Sequence, residues 1–345
     1  MTDRAAAPGV SRPDLAPAIR PALSLPGARG RERKVGTRAM TVEIWPVTET
    51  FAAEVGDADL SKPLSAADWR TIEDAFHEFA VLIFPDQRMT QEQHVAFARR
   101  FGPIDPSMIV DLDGVKPRVL TDIADVSNLM PDGAIWGADS RLRAFQTGNQ
   151  LWHTDSSFKE VPAKASLLYM RAIPPVGGQT EFADMRAAWD ALPDDLKAQI
   201  DGRIARHAIA YSRARQGFEM SEEEKTAMPA VPQAMVRHHG YSGRTGLYLA
   251  SHAGRIDGMA DDAAEALLQR LMDHATRRRF VYSHRWRAGD MVMWDNRCTM
   301  HRGLPYDDLR WPRDAQRATV LDAAPTCEQE GLRPDELHLG AVAAE

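Results

Sequence analysis

The chain has 345 residues, 44% of them hydrophobic, which is enough to bury a sizeable core and excludes disorder throughout. Its 42 lysines and arginines against 49 aspartates and glutamates give a formal charge of -7, so no chain-wide basic field exists to hold nucleic acid. Two cysteines cannot build a disulfide scaffold, which fits a reducing cytoplasm, and apolar runs of at most six residues cannot span a bilayer.

Residues 1–39 carry eight Lys and Arg, three Asp and Glu, five prolines and no aromatic side chain, so they are expected to be disordered or to be an upstream extension of the reading frame. Removing their net +5 leaves -12 on the remainder, so an anionic ligand there needs local Arg or Lys. Residues 40–325 are read as a single catalytic domain and 326–345 as a C-terminal tail. The domain starts with a strand at 42–45 and a helix capped by Ser65 and Asp68, whose buried stripe is Trp69, Ile72, Phe76 and Phe79. A strand at 80–84 stops at Pro85-Asp86, and Thr90 with Gln93 caps a second helix ending at Gly102.

Short strands follow at 165–169, 180–182, 280–286, 291–294 and 317–321, interrupted by helices at 186–200, broken near Pro193, and 261–276. Strands that pair over long separations, with helices gathered at the sides, predict a mainly β fold of jelly-roll type. No phosphate loop is present.

His153 is followed two residues later by Asp155, a spacing that puts both side chains on one face of a strand. His301 supplies a third ligand. Two imidazoles and one carboxylate suit a non-haem Fe(II) facial triad, and equally a catalytic zinc. Arg313 and Arg317, four apart, should point into one cavity and grip a carboxylate, with the Thr180 hydroxyl as a further donor.

Together, His153-Thr-Asp155, Gly177-Gly-x-Thr180-x-Phe-x-Asp-Met185, Trp294-Asp-Asn-Arg-x-x-x-His301 and Arg313-x-x-x-Arg317-Ala-Thr resemble the taurine dioxygenase superfamily of Fe(II)/2-oxoglutarate-dependent dioxygenases. Within it, the stretches 148–158, 182–193 and 284–298 are most similar to the 2,4-dichlorophenoxyacetate dioxygenase-like members. The resemblance implies a double-stranded β-helix core with flanking helices. It makes His153, Asp155 and His301 the ligands of Fe(II), Arg313 and Thr180 the contacts of 2-oxoglutarate, and Arg317 and Asn149 contacts of the prime substrate. It also implies consumption of O2, a small anionic organic substrate, most readily an aryloxyalkanoate cleaved to a phenol and an oxo acid, and a homo-oligomer. Sulfonate or alkylsulfate cleavage is the alternative. The stretch 107–110 departs from the pattern, since herbicide-cleaving members carry a lysine there.

Overall fold

The computed structural model describes residues 41–106 and 118–334. The expected N-terminal extension, the stretch 107–110 and the end of the C-terminal tail lie outside the described residues. The first strands are β1 (Glu43–Pro46), β2 (Ala52–Gly56), β3 (Val81–Phe84), β4 (Ala124–Asp125), β5 (Ala163–Ala172) and β6 (Thr180–Asp184). Then come β7 (Ile204–His207), β8 (Val231–Ala234), β9 (Val236–His239), β10 (Arg244–Leu247) and β11 (Ala253–Ile256). The last four are β12 (Val281–His284), β13 (Met291–Asp295), β14 (Thr299–Gly303) and β15 (Asp314–Leu321).

Seven of them form one sheet in the order β1-β2-β3-β13-β5-β15-β4. Only β2 and β3 run parallel within it, so the pairing is that of an antiparallel jelly roll. A smaller sheet, β12-β6-β14, lies against its inner face. Alternation along the strands builds both layers. Leu82, Phe84, Leu167, Met291 and Met293 point to the outer face, where Phe76, Phe79 and Phe97 of the two N-terminal helices cover them. Val81, Ile83, Leu168, Met170, Val292 and Trp294 point inward and meet Phe182 of β6. A third cluster seats the helix Asp261–Ala275 on the far side through Ala264, Leu267, Leu268 and Leu271. The double-stranded β-helix core with flanking helices is thus present.

Local expectations hold with two differences. Ser65 caps the helix Ala66–Phe79 by accepting from the Asp68 amide, but the short Asp68 side chain does not reach back to the Ser65 amide. It accepts from the Val42 amide at 3.0 Å instead, tying β1 to the helix. At Thr90 and Gln93, where the longer side chain spans the gap, the reciprocal pair forms. The tail expected to fray from Thr326 begins as a helix, Thr326–Gln329, whose first two residues are buried and whose Thr326 hydroxyl donates to Gln233 at 2.6 Å. Among the described residues no helix is long and apolar enough to cross a membrane.

Candidate active site

The pair His153 and Asp155 does not sit on a regular strand, contrary to the spacing argument. His153 makes an isolated antiparallel bridge with His301 of β14, each amide donating to the other's carbonyl at 3.0 and 2.8 Å. The chain then turns at once, with Ser156 at φ 53°. The Asp155 carboxylate lies beside both rings, between the bridge and that turn. His153 Nε2 lies 3.8 Å from Asp155 Oδ1 and His301 Nε2 lies 3.6 Å from Oδ2. One ligand atom from each of the three residues falls within 4.8 Å of the others, and all three residues are buried.

The His153 Nδ1 donates to the Leu151 carbonyl at 2.7 Å, which leaves the Nε2 lone pair free to face Asp155. Burial pushes both imidazoles below their ordinary value despite the nearby carboxylate, so they stay neutral and able to ligate. Burial alone would raise the Asp155 carboxyl. The Arg317 guanidinium and the Ser166 hydroxyl oppose it and hold the group well below the usual carboxylate range. Two neutral imidazole nitrogens and one carboxylate oxygen, buried and converging, are a donor set that fits a divalent iron.

Asp155 is itself held by three neighbours. Ser166 donates to Oδ2 at 2.7 Å, Arg317 Nη1 donates to Oδ1, and the Asp155 amide donates to Asn296 Oδ1 at 3.1 Å. Asn296 in turn donates to Ser166 Oγ at 2.9 Å and accepts from Trp294 Nε1 at 3.0 Å. Sequence reasoning quoted Asn296 within a motif but gave it no role. Its signal was its place two residues after Trp294, in the turn between β13 and β14 that leads to His301.

Two cavities open on the triad. The smaller, about 110 Å³, is lined by Thr180, Trp294, His301, Tyr306, Arg313 and Arg317. Arg313 donates to the Val126 carbonyl at 3.2 Å and has no carboxylate partner among the described residues. Burial pulls its guanidinium below the ordinary value, with Tyr306 opposing. A partly buried cation with no acid partner among the described residues, beside a metal-type cluster, suits an anionic ligand. Thr180 Oγ1 accepts from Trp286 Nε1 at 3.0 Å, which leaves its own proton free to donate. The expected convergence of Arg313 and Arg317 on one cavity is therefore present, although Arg317 is engaged by Asp155.

Residues 43–319 match the model of the family described as "Taurine catabolism dioxygenase TauD, TfdA family". The chain belongs to that family. It is 43% identical over 286 residues to the alpha-ketoglutarate-dependent 2,4-dichlorophenoxyacetate dioxygenase of Cupriavidus pinatubonensis, covering 83% of this chain and 99% of that protein. It is 37% identical to the (S)-phenoxypropionate/alpha-ketoglutarate-dioxygenase of Sphingobium herbicidovorans, with 77% and 90% covered. Among solved structures it superposes with a TM-score of 0.76 on AAD-2 in complex with Mn(II) and N-oxalylglycine, at 46% identity over 83% of this chain and 99% of that one.

In this member of the TauD, TfdA family the larger cavity, about 250 Å³, lies on the other side of the triad. Leu129, Trp136, Leu142, Phe145 and Phe158 give it largely apolar walls, and Asn149 lines both cavities. His252 forms part of the wall. Its Nδ1 shares the Ser157 hydroxyl with His207, at 2.9 and 3.1 Å. Burial drives His207 down to about 3 and His252 well below the ordinary value, so both stay neutral. None of these wall residues except Asn149 was given a role from sequence, because they come from separate loops and short helices with no shared spacing.

Proposed function

We propose that His153, Asp155 and His301 hold Fe(II), that Arg313 and Thr180 bind the distal carboxylate of 2-oxoglutarate in the smaller cavity, and that the larger cavity takes a small aryloxyalkanoate next to Asn149 and Arg317. The chain is an Fe(II)/2-oxoglutarate-dependent dioxygenase. Iron and 2-oxoglutarate supply the oxidising chemistry, in which O2 is consumed, 2-oxoglutarate becomes succinate and CO2, and a substrate C–H becomes C–OH. Where that carbon carries an ether oxygen, the product is a hemiacetal, which breaks its C–O bond to give a phenol and an oxo acid.

The protein's share is placement. Misplacement of the reacting carbon by about 1 Å can cost on the order of 100-fold in rate, so each partner needs its own anchor. Arg313 compensates one charge of the buried dianion, and Asn296 and Ser166 keep the Asp155 carboxylate aimed between the two imidazoles. The observation that carries the reading is the partly buried Arg313, with no acid partner among the described residues, beside the three converging ligands. A zinc hydrolase built on the same three residues has no use for that cation.

The aromatic lining at Trp136, Phe145 and Phe158 favours an aryl body over the compact head of a sulfonate or alkylsulfate. The buried free thiols of Cys298 and Cys327 support a cytoplasmic setting. Anaerobic addition of Fe(II) and 2-oxoglutarate should produce a metal-to-ligand charge-transfer band. Aryloxyalkanoates under air should then release one phenol per succinate, and release of sulfate or sulfite from the corresponding esters or sulfonates at a higher rate would reverse the substrate assignment.

A further inference from the structure

The larger cavity contains four cationic side chains, and three of them are already neutralised. Arg118 pairs with Asp125 at 3.0 Å and with Asp314 at 3.1 Å. Lys159 lies 2.7 Å from Asp105, and Arg317 is held by Asp155. The fourth is Arg213, on the short helix Ile209–Ala214. It is only 5% exposed, yet no carboxylate pairs with it among the described residues. Its one hydrogen bond to protein is Nη1 to the Ser212 hydroxyl at 3.2 Å, and its Nε has no acceptor at all.

The surroundings hold the guanidinium in place without satisfying it. Its carbon lies 4.2 Å from the centroid of the Phe145 ring, and a side chain at Gly148 would collide with its Nη1 and Cζ. Burial with no compensating charge pulls the group down to about 10. A buried, unpaired arginine is costly unless a ligand completes it. It lines the apolar cavity that reaches His153 and Asp155.

We infer that Arg213, and not Arg317, grips the acid group of the prime substrate, a carboxylate monoanion whose apolar body fills the rest of the cavity. This rests on the aryloxyalkanoate reading above. Arg317 is then a positioning residue that keeps its bond to Asp155, and the larger cavity, which has no other unpaired cation among the described residues, becomes electrically balanced when one monoanion enters.

The test uses the iron enzyme with 2-oxoglutarate and two probes, 2,4-dichlorophenoxyacetate and its uncharged methyl ester. In Arg213→Met the KM for the acid should rise at least ~100-fold, since truncating one partner of a buried charge pair has this order of effect. The KM for 2-oxoglutarate should change less than about threefold, and the preference for acid over ester should vanish. If that variant does not fold, Arg213→Lys, which keeps the charge but loses the fork, should raise the acid KM on the order of 10-fold. An unchanged acid KM, or an intact preference for acid over ester, would overturn the inference while leaving the enzyme's reaction class standing. Wild-type enzyme inert toward aryloxyalkanoates would overturn the inference and the substrate reading together.

Discussion

The two cavities beside the triad share Trp136, Asn149, His153 and Arg317 but differ in how much of the sheets each one uses. The smaller draws Leu168 from β5, Thr180 from the start of β6, Trp294 from β13, His301 and Gly303 from β14 and Arg317 from β15, and completes its wall with loop residues such as Tyr306 and Arg313. The larger takes its walls from loops and short helices between residues 118 and 158 and from Ile209 and Arg213. Ladder hydrogen bonds fix strand side chains to within a narrow range, whereas loop residues can be exchanged without disturbing the sheets. The difference teaches that a chemistry shared across a family can stay on the rigid side while selection of the prime substrate is left to the replaceable side.

The largest effect that would break this division is loss of the shared ligand. Asp155→Ala removes the carboxylate oxygen facing both imidazoles and strands the Arg317 cation. Turnover should fall at least ~1,000-fold, about 4 kcal/mol of transition-state stabilisation. Calorimetric titration with Fe(II) should lose its tight phase in the same variant. Arg313→Ala comes next. It should raise the KM for 2-oxoglutarate ~100-fold, about 3 kcal/mol, and leave the KM for the acid substrate nearly unchanged. An equal rise in both constants would show that the cavities do not act separately.

Acid should also distinguish them, through stability. Behind the larger cavity His207 is buried and held at about 3, while in the unfolded chain it titrates near its ordinary 6.5. Between those values the unfolded chain binds a proton that the folded one refuses, so stability is complete above about pH 6.5 and is lost as pH falls. From pH 6.5 to 5 this amounts to about 2 kcal/mol for one histidine. Urea unfolding of chelated protein at the two pH values should show a shallower acid loss in His207→Gln than in wild type, by about that amount. Parallel curves would place the acid sensitivity elsewhere. The two triad imidazoles that line the smaller cavity are pulled down by the same burial, so acid loss that persists in His207→Gln should come from them.

Much of the rigid side was legible in the sequence. His153, Asp155, His301, Thr180, Arg313 and Arg317 lie in short motifs whose spacing carries over to the sheets, and the structure brings all six together. Even there the spacing of His153 and Asp155 pointed to the right partners for the wrong reason, since they lie between an isolated bridge and a turn at Ser156 rather than on a regular strand. The replaceable side was nearly silent. Arg213 and Phe145 meet across 68 residues, and His252 and Ser157 across 95, contacts that arise only after the sheets have packed. A buried arginine with no acid nearby cannot be told from a surface arginine until its surroundings are known. Trp286 shows the same limit on the rigid side: it read as the end of a strand, yet its indole acts on Thr180.

That indole gives the smallest effect and the finest test of separation. A hydroxyl offers one proton and two lone pairs. Trp286 Nε1 fills one lone pair of Thr180 Oγ1 from 3.0 Å, so the proton is steered toward the cavity that Arg313 shares. Trp286→Phe keeps a ring in the buried slot but removes the donor, and the hydroxyl can then rotate away. The KM for 2-oxoglutarate should rise about fivefold, about 1 kcal/mol, with the KM for the acid substrate unmoved. If Trp286 acts only through that hydroxyl, Thr180→Val should show a comparable or larger rise, and adding Trp286→Phe to it should change nothing further. An additional loss in the double variant would mean that Trp286 supports the cavity by packing against His284, at 4.6 Å between ring centroids, rather than by aiming a proton.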